Sequence, residues 1–295
     1  MIDRLLAFPR LELKSLWKRP LPGFMYAILA LLSLGLVAGG VQVAAGSADT
    51  GGAKLAINGG FNLAFVDVVI FAIVLPFFAA VACGMPLLVD GDRRIQKLLT
   101  ATPLSWQEYA WSRFLAALAV LGAVLAAWLV FQISIYQSWP IDTTQRVRTT
   151  FSLWSYFAPL IWFALPMVVF TGGVSMWAGV RTRQPVLVFA LPVVMVVAGI
   201  FFLWDFNPEW LPRWADRLMQ AAEPTGFRWF SRTFLSEDRG VAYYNSARVV
   251  PDSLFVVSRL VLIGMGLTAV WATGRRLAHA EHDDRRVGNL SLIHI

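Results

Sequence analysis

Six stretches of this chain are each apolar over about the length of a bilayer crossing, and this limits its possible folds more than any other feature. A helix rising 1.5 Å per residue needs about 20 apolar residues to cover a hydrocarbon core of roughly 30 Å. The stretches run over 24–45, 62–89, 112–136, 156–179, 186–204 and 254–273. The core holds no water to receive exposed backbone groups, so segments of this length must cross as helices. Of the 295 residues, 58% are hydrophobic and 15% charged, against roughly 45–50% and 25% in soluble domains. These proportions exclude a soluble globule, a disordered chain, a collagen and a coiled coil. The sequence reads as an all-α integral membrane protein built on a six-helix transmembrane bundle.

The distribution of Lys and Arg predicts the topology. Arg4, Arg10, Lys14, Lys18 and Arg19 precede the first span. Arg93, Arg94, Lys97 and Arg113 lie in or beside the second loop, Arg181 and Arg183 in the fourth, and Arg275, Arg276, Arg285 and Arg286 after the last span. The short loops opposite carry Lys54, Arg146 and Arg148. Both termini are therefore expected on the cytoplasmic side of the plasma (inner) membrane. The net charge of +7 is spread between apolar runs, so acidic lipid headgroups rather than nucleic acid are its expected counter-charge. One cysteine, Cys83, excludes an internal disulfide framework.

Residues 1–22 form the first unit, 23–275 the transmembrane domain and 276–295 a cytoplasmic tail. Around a helix Ile2, Leu5, Leu6, Leu13, Leu16 and Trp17 share one arc, with Lys14 and Lys18 opposite. This pattern predicts an interfacial amphipathic helix anchored by Leu13, Leu16 and Trp17. No small-residue cleavage site follows it, so no cleaved signal peptide is expected. The long outer loop, 205–253, repeats the theme. Trp210, Leu211, Trp214, Ala215 and Leu218 follow helical spacing, and Arg213, Asp216 and Arg217 are expected on the other side. Trp204 and Trp229 flank this helix in the aromatic belt. Pro76, Pro86, Pro159, Pro166 and Pro192 lie in or at the ends of spans, where kinks are tolerated if neighbours satisfy the freed carbonyls.

Catalytic patterns are missing. The chain has no G-x-x-x-x-G-K-[ST], H-E-x-x-H or G-x-S-x-G, so no bond chemistry, cofactor or metal is expected in it. His279, Glu281, His282 and Asp283 read as a solvated tail rather than a metal cluster. Asp67 and Arg259 are the ionisable residues inside spans, each near a span end, where either can snorkel to the interface, and Asp67 reads first as a snorkelled or hydrogen-bonded structural group. Asp67 is also the one candidate for a transport pathway.

The second loop is the most structured part of the sequence. Asp90-Gly91-Asp92 predicts a turn in which Asp92 caps a short helix over about 92–102. Pro103 stops that helix. Ser105-Trp106-Gln107-Glu108 is a capping box that starts the next helix. Ile95, Leu98 and Leu99 form an apolar ridge among basic residues, suited to docking as a helix in a partner's groove.

The run Leu98-Leu99-Thr100-Ala101-Thr102-Pro103-Leu104-Ser105, followed by Tyr109 and Ser112-Arg113-Phe114, resembles the coupling-helix signature of type-2 ABC transporter permeases. That pattern is an acidic residue, L-L-x-T-x-P-[VIL]-S, an aromatic four residues on, and a small–basic pair; Asp92 takes the acidic position. The chain departs from it at Arg94-Ile95, where relatives often have Gly-Thr, and at Lys97, where an acid is common. Glu223-Pro224-Thr225-Gly226 and Ser236-Glu237-Asp238-Arg239 are similar to stretches in a branch often duplicated and sometimes fused to an aminopeptidase-like domain. The resemblance implies a permease subunit of an ABC exporter, with ATP and Mg bound by a separate ATP-binding subunit. It further implies a second permease half, either a copy of this chain or a C-terminal bundle. Asp92, Arg94, Ile95, Leu98, Leu99, Thr102, Pro103, Ser105, Glu108 and Tyr109 would be the coupling residues. Residues 290–295 resemble a translated adapter remnant, which implies truncation at the C-terminus. A non-transporting membrane anchor and a membrane-embedded enzyme remain the alternative readings.

Overall fold

The computed structural model describes residues 13–39, 55–92, 104–140, 147–204, 206, 208, 210–237 and 239–292, the last twelve of these and 91–92 by backbone only. Residues 13–17 form helix α1, and Leu16 is buried in the core while Leu13 and Trp17 are exposed beside it. Residues 2–12 of the expected N-terminal helix lie outside the described residues; Lys18 and Arg19, expected within it, form a turn that ends α1, and residues 20–22 open the next helix. Pro20 opens α2 (Pro20–Ala38) from its first turn, where a missing N–H costs nothing and φ is already helical. Gly39, at φ 81°, closes it in the left-handed region. The first span thus ends earlier than hydropathy suggests, because a glycine stop overrides the apolar residues beyond it.

The other long helices are α3 (Gly60–Asp92), α4 (Trp106–Ser138), α5 (Leu153–Thr182), α6 (Pro185–Leu203) and α10 (Ser253–Leu292). With α2 they make six helices, among the described residues, long and apolar enough to cross a membrane. No strand occurs among those residues; an isolated parallel bridge joins Ala56 to Val147. Three short helices, α7 (Arg213–Ala222), α8 (Phe227–Phe234) and α9 (Val241–Ser246), precede α10. Between Pro159 and Pro166, α5 widens into a π-helical turn over Leu160–Ala164, a common way to absorb a disturbed backbone ladder.

Successive long helices run in opposite directions, so the bundle has a basic end, with Lys18, Asp90, Ser105 and Arg275, and a loop end. α3 is central, two-thirds of its apolar window being buried (67%), whereas α6 is peripheral at 17%. Small residues allow the close approaches. A Cβ on Gly84 would meet Val188 at 2.8 Å, and one on Gly172 would meet the Cys83 sulfur at 2.8 Å. α2 is attached through a polar contact: buried Trp128 of α4 donates its indole N–H toward Ser33 Oγ (2.9 Å) and the Leu29 carbonyl (3.2 Å). In an apolar surrounding such a bond fixes rotation about the helix axis, which oily contacts alone specify weakly.

Candidate functional site

Three polar arrangements stand out in this apolar bundle. The first lies at the basic end, where α3 stops and α4 begins. Ser105 has extended backbone (φ −75°, ψ 152°), and its hydroxyl accepts the Glu108 N–H at 3.2 Å. Glu108 answers by accepting the Ser105 N–H at 2.9 Å. Both halves of the expected capping box are therefore formed. One turn on, the Tyr109 hydroxyl and the Arg113 guanidinium both donate to Oδ2 of Asp90. The guanidinium also lies 5.5 Å from the centre of the Tyr109 ring. Tyr109 and Arg113 are four residues apart, hence on one face of α4, and all three side chains are buried. Gln107, on another face, donates to the Trp271 carbonyl of α10 at 3.0 Å.

This arrangement corrects one expectation. Asp90-Gly91-Asp92 is not a turn; α3 remains helical through Asp92. Helical geometry there directs Asp90 to α4, and its two charge-assisted bonds stabilise the continuation. Arg94, Ile95, Leu98, Leu99, Thr102 and Pro103 lie outside the described residues, as does the Asp92 side chain. Asp90 was not among the sequence candidates. The available signal was Tyr109 and Arg113 at helical spacing, a phenol and a cation that require an acceptor once buried.

The second arrangement organises the loop end. The buried Glu223 carboxylate accepts the backbone N–H groups of Thr225 (2.9 Å) and Gly226 (2.7 Å) and the Thr225 hydroxyl. Gly226 has φ 84°, and a Cβ there would fall 2.7 Å from the Phe163 ring; only glycine suits both demands. Arg259 of α10 donates to the carbonyls of Glu223 and Pro224, each at 2.7 Å, and lies over Phe255 at 4.6 Å. Arg259 is thus buried on backbone acceptors of the loop rather than extended to solvent. Arg228 is fully buried and binds the Phe206 carbonyl (3.0 Å) and Asp216 (2.5 Å).

The Arg228–Asp216 pair sets the orientation of α7. Asp216 faces inward, while Trp214 and Leu218 are exposed together with Arg213 and Arg217. The expectation that all three charged residues oppose the tryptophans is therefore corrected. At about 100° per residue Arg217 lies only about 60° from Trp214, whereas Asp216 lies about 160° away. Trp229 is not in an exposed belt either. It is buried, and its indole N–H donates to Asp252 at 2.8 Å.

The third arrangement is in the spans. Asp67 of α3 is fully buried, and its Oδ1 accepts from Gln132 Nε2 of α4 at 2.7 Å. Oδ2 of Asp67 and Oε1 of Gln132, both buried, have no hydrogen-bond partner among the described residues. Of the two structural readings of Asp67, snorkelled or hydrogen-bonded, the second holds: Gln132 on the facing helix supplies the donor, and the side chain is fully buried. Gln132 was missed by a search for charge, yet it is legible. Asp67 is seven residues from the start of α3 and Gln132 six from the end of α4, which places both at one depth in antiparallel helices. Compared with known proteins, the chain matches no family model and no curated protein.

Proposed function

We propose that this chain is the membrane-spanning permease subunit of an ABC-type exporter, with both termini cytoplasmic. A separate ATP-binding subunit would hydrolyse Mg-bound ATP, and a second permease half would complete the pathway. The observation that carries this reading is the joint grip of Tyr109 and Arg113 on Asp90. It ties the two ends of the loop bearing the L-L-x-T-x-P-L-S run to one buried point. With α3 and α4 clamped to each other at this point, a push on the loop between them would act on both helices together, as transmission of a partner's closure requires. Leu98, Leu99 and Ile95 would enter the partner's groove, and Asp92, Arg94, Thr102 and Pro103 would shape the segment. Ser105 and Glu108 hold the start of α4.

The test is to purify the tagged full chain from its native membranes in mild detergent. Mg-dependent ATP hydrolysis should accompany it and fall at least about tenfold, the effect of 1.4 kcal/mol, in Leu98→Asp preparations that still elute as a single species. Absence of any accompanying ATPase, or undiminished ATPase with Leu98→Asp, would overturn the reading.

A further inference from the structure

We propose that Asp67 and Gln132 form a proton-binding site between the second and third spans, in which one proton on Asp67 Oδ2 completes a two-bond ring with the Gln132 amide. The atoms left over define the ligand. Gln132 Nε2–H already donates to Asp67 Oδ1 at 2.7 Å. What remains is Asp67 Oδ2 and Gln132 Oε1, two acceptors buried at the same place without a donor. A carboxylic acid and a primary amide pair through two bonds when the acid carries its hydrogen: amide N–H to acid C=O, and acid O–H to amide C=O. An ionised Asp67 supplies one acceptor too many and leaves both atoms unsatisfied in the apolar core, at a cost that buried polar groups rarely bear.

A metal cation fits poorly, since hard cations take six or more oxygens and two are on offer. Among the described residues, the basic groups at this end that are not exposed are otherwise engaged. Arg148 donates to the carbonyls of Tyr136 and Trp139 at the end of α4, Arg228 binds Asp216, and Arg259 binds the Glu223 and Pro224 carbonyls. Tyr156 of α5 accepts from Gln137 at 3.0 Å and lies within electrostatic reach of Asp67. Tyr136 of α4 faces the same region, and Tyr244 of α9 donates to the Glu237 carbonyl at 3.2 Å. The loop-end halves of α2 and α6, and of α5 beyond Tyr156, contain no ionisable residue. The chemistry leaves a proton as the complement. The proposal does not depend on the permease reading, because it concerns only how two spans of this chain are joined.

The experiment is infrared difference spectroscopy on the full chain in lipid nanodiscs at neutral pH, comparing the unaltered protein with Asp67→Asn. A carbonyl band of a protonated carboxylic acid is expected in the first and absent from the second, and it should move in Gln132→Leu, where the hydrogen bond is lost. A spectrum in which Asp67→Asn removes only carboxylate bands would overturn the site. Asn at this position can reproduce both bonds with its own amide, so this variant should fold normally. A second readout follows thermal unfolding against pH. The folded form binds a proton that the unfolded chain has released, so the unaltered protein should lose stability relative to Asp67→Asn as pH rises. Parallel profiles at every pH would equally overturn the proposal.

Discussion

Gly173 of α5 and Gly266 of α10 meet backbone to backbone: a Cβ on Gly173 would lie 2.1 Å from the Gly266 carbonyl oxygen. The relation is reciprocal, since a Cβ on Gly266 would lie 2.4 Å from the Val169 carbonyl oxygen. No side chain can move aside here, because the obstacle is main chain. Between spans, where lipid offers no hydrophobic incentive to associate, such close contact is a principal source of helix adhesion.

Gly173→Ala should therefore separate the last span from α5 and destabilise the bundle by about 1–3 kcal/mol, the usual cost of forced overpacking. Gly122→Ala is the control, because nothing lies within 4 Å of its added Cβ. Thermal unfolding of the two variants in the same detergent should show a clear loss for the first and little change for the second.

At the basic end, Asp90→Asn and Arg113→Met should each lower stability by about 3–5 kcal/mol, because each strands a buried charge. The side chains of the pair are 9% and 10% exposed, so solvent gives little relief. Combining the two substitutions should cost much less than the sum of the singles. A double-mutant cycle read by unfolding midpoints checks this, and strict additivity would show that the pair does not act as a unit.

Gly226→Ala should disturb the loop end through both its φ of 84° and its approach to Phe163, at about 1–3 kcal/mol. Gly240 also has positive φ (78°) but nothing within 4 Å. Gly240→Ala should thus show the backbone cost alone.

Trp214 and Leu104 lie at opposite ends of the bundle. In a Cys83→Ala background, Trp214→Cys should react with a membrane-impermeant thiol reagent in intact cells, and Leu104→Cys only after permeabilisation. Labelling in the reverse order would invert the topology expected from Lys and Arg placement.

The spans could be read from the chain because hydropathy is local: a run of twenty apolar residues has few alternatives to a membrane helix. The Ser105–Glu108 capping box was equally legible, as its two members are neighbours in one turn and depend on nothing distant. Gln132 could have been found by comparing depths in adjacent spans. Asp90 was harder, since Gly91 beside it suggests a turn, and only the burial of Tyr109 and Arg113 reveals its use. For Arg259 no local signal exists, because its partners are backbone carbonyls displayed by a particular loop path, whereas Glu223 is held by donors only two and three residues on.

The amino-acid sequence by itself therefore determined that the chain is helical, how many described segments can cross a bilayer, and where several of them begin. Each of these follows from interactions within a turn or from transfer of one segment out of water. Tertiary structure alone decided which faces meet. A helix in lipid can rotate about its axis at little hydrophobic cost, and only contacts with other helices settle that rotation. The glycine contact at 173 and 266, the Asp90 pair with Arg113 and the meeting of Asp67 with Gln132 are all products of it. So is the inward turn of Asp216, which leaves Trp214 and Arg217 on one exposed face.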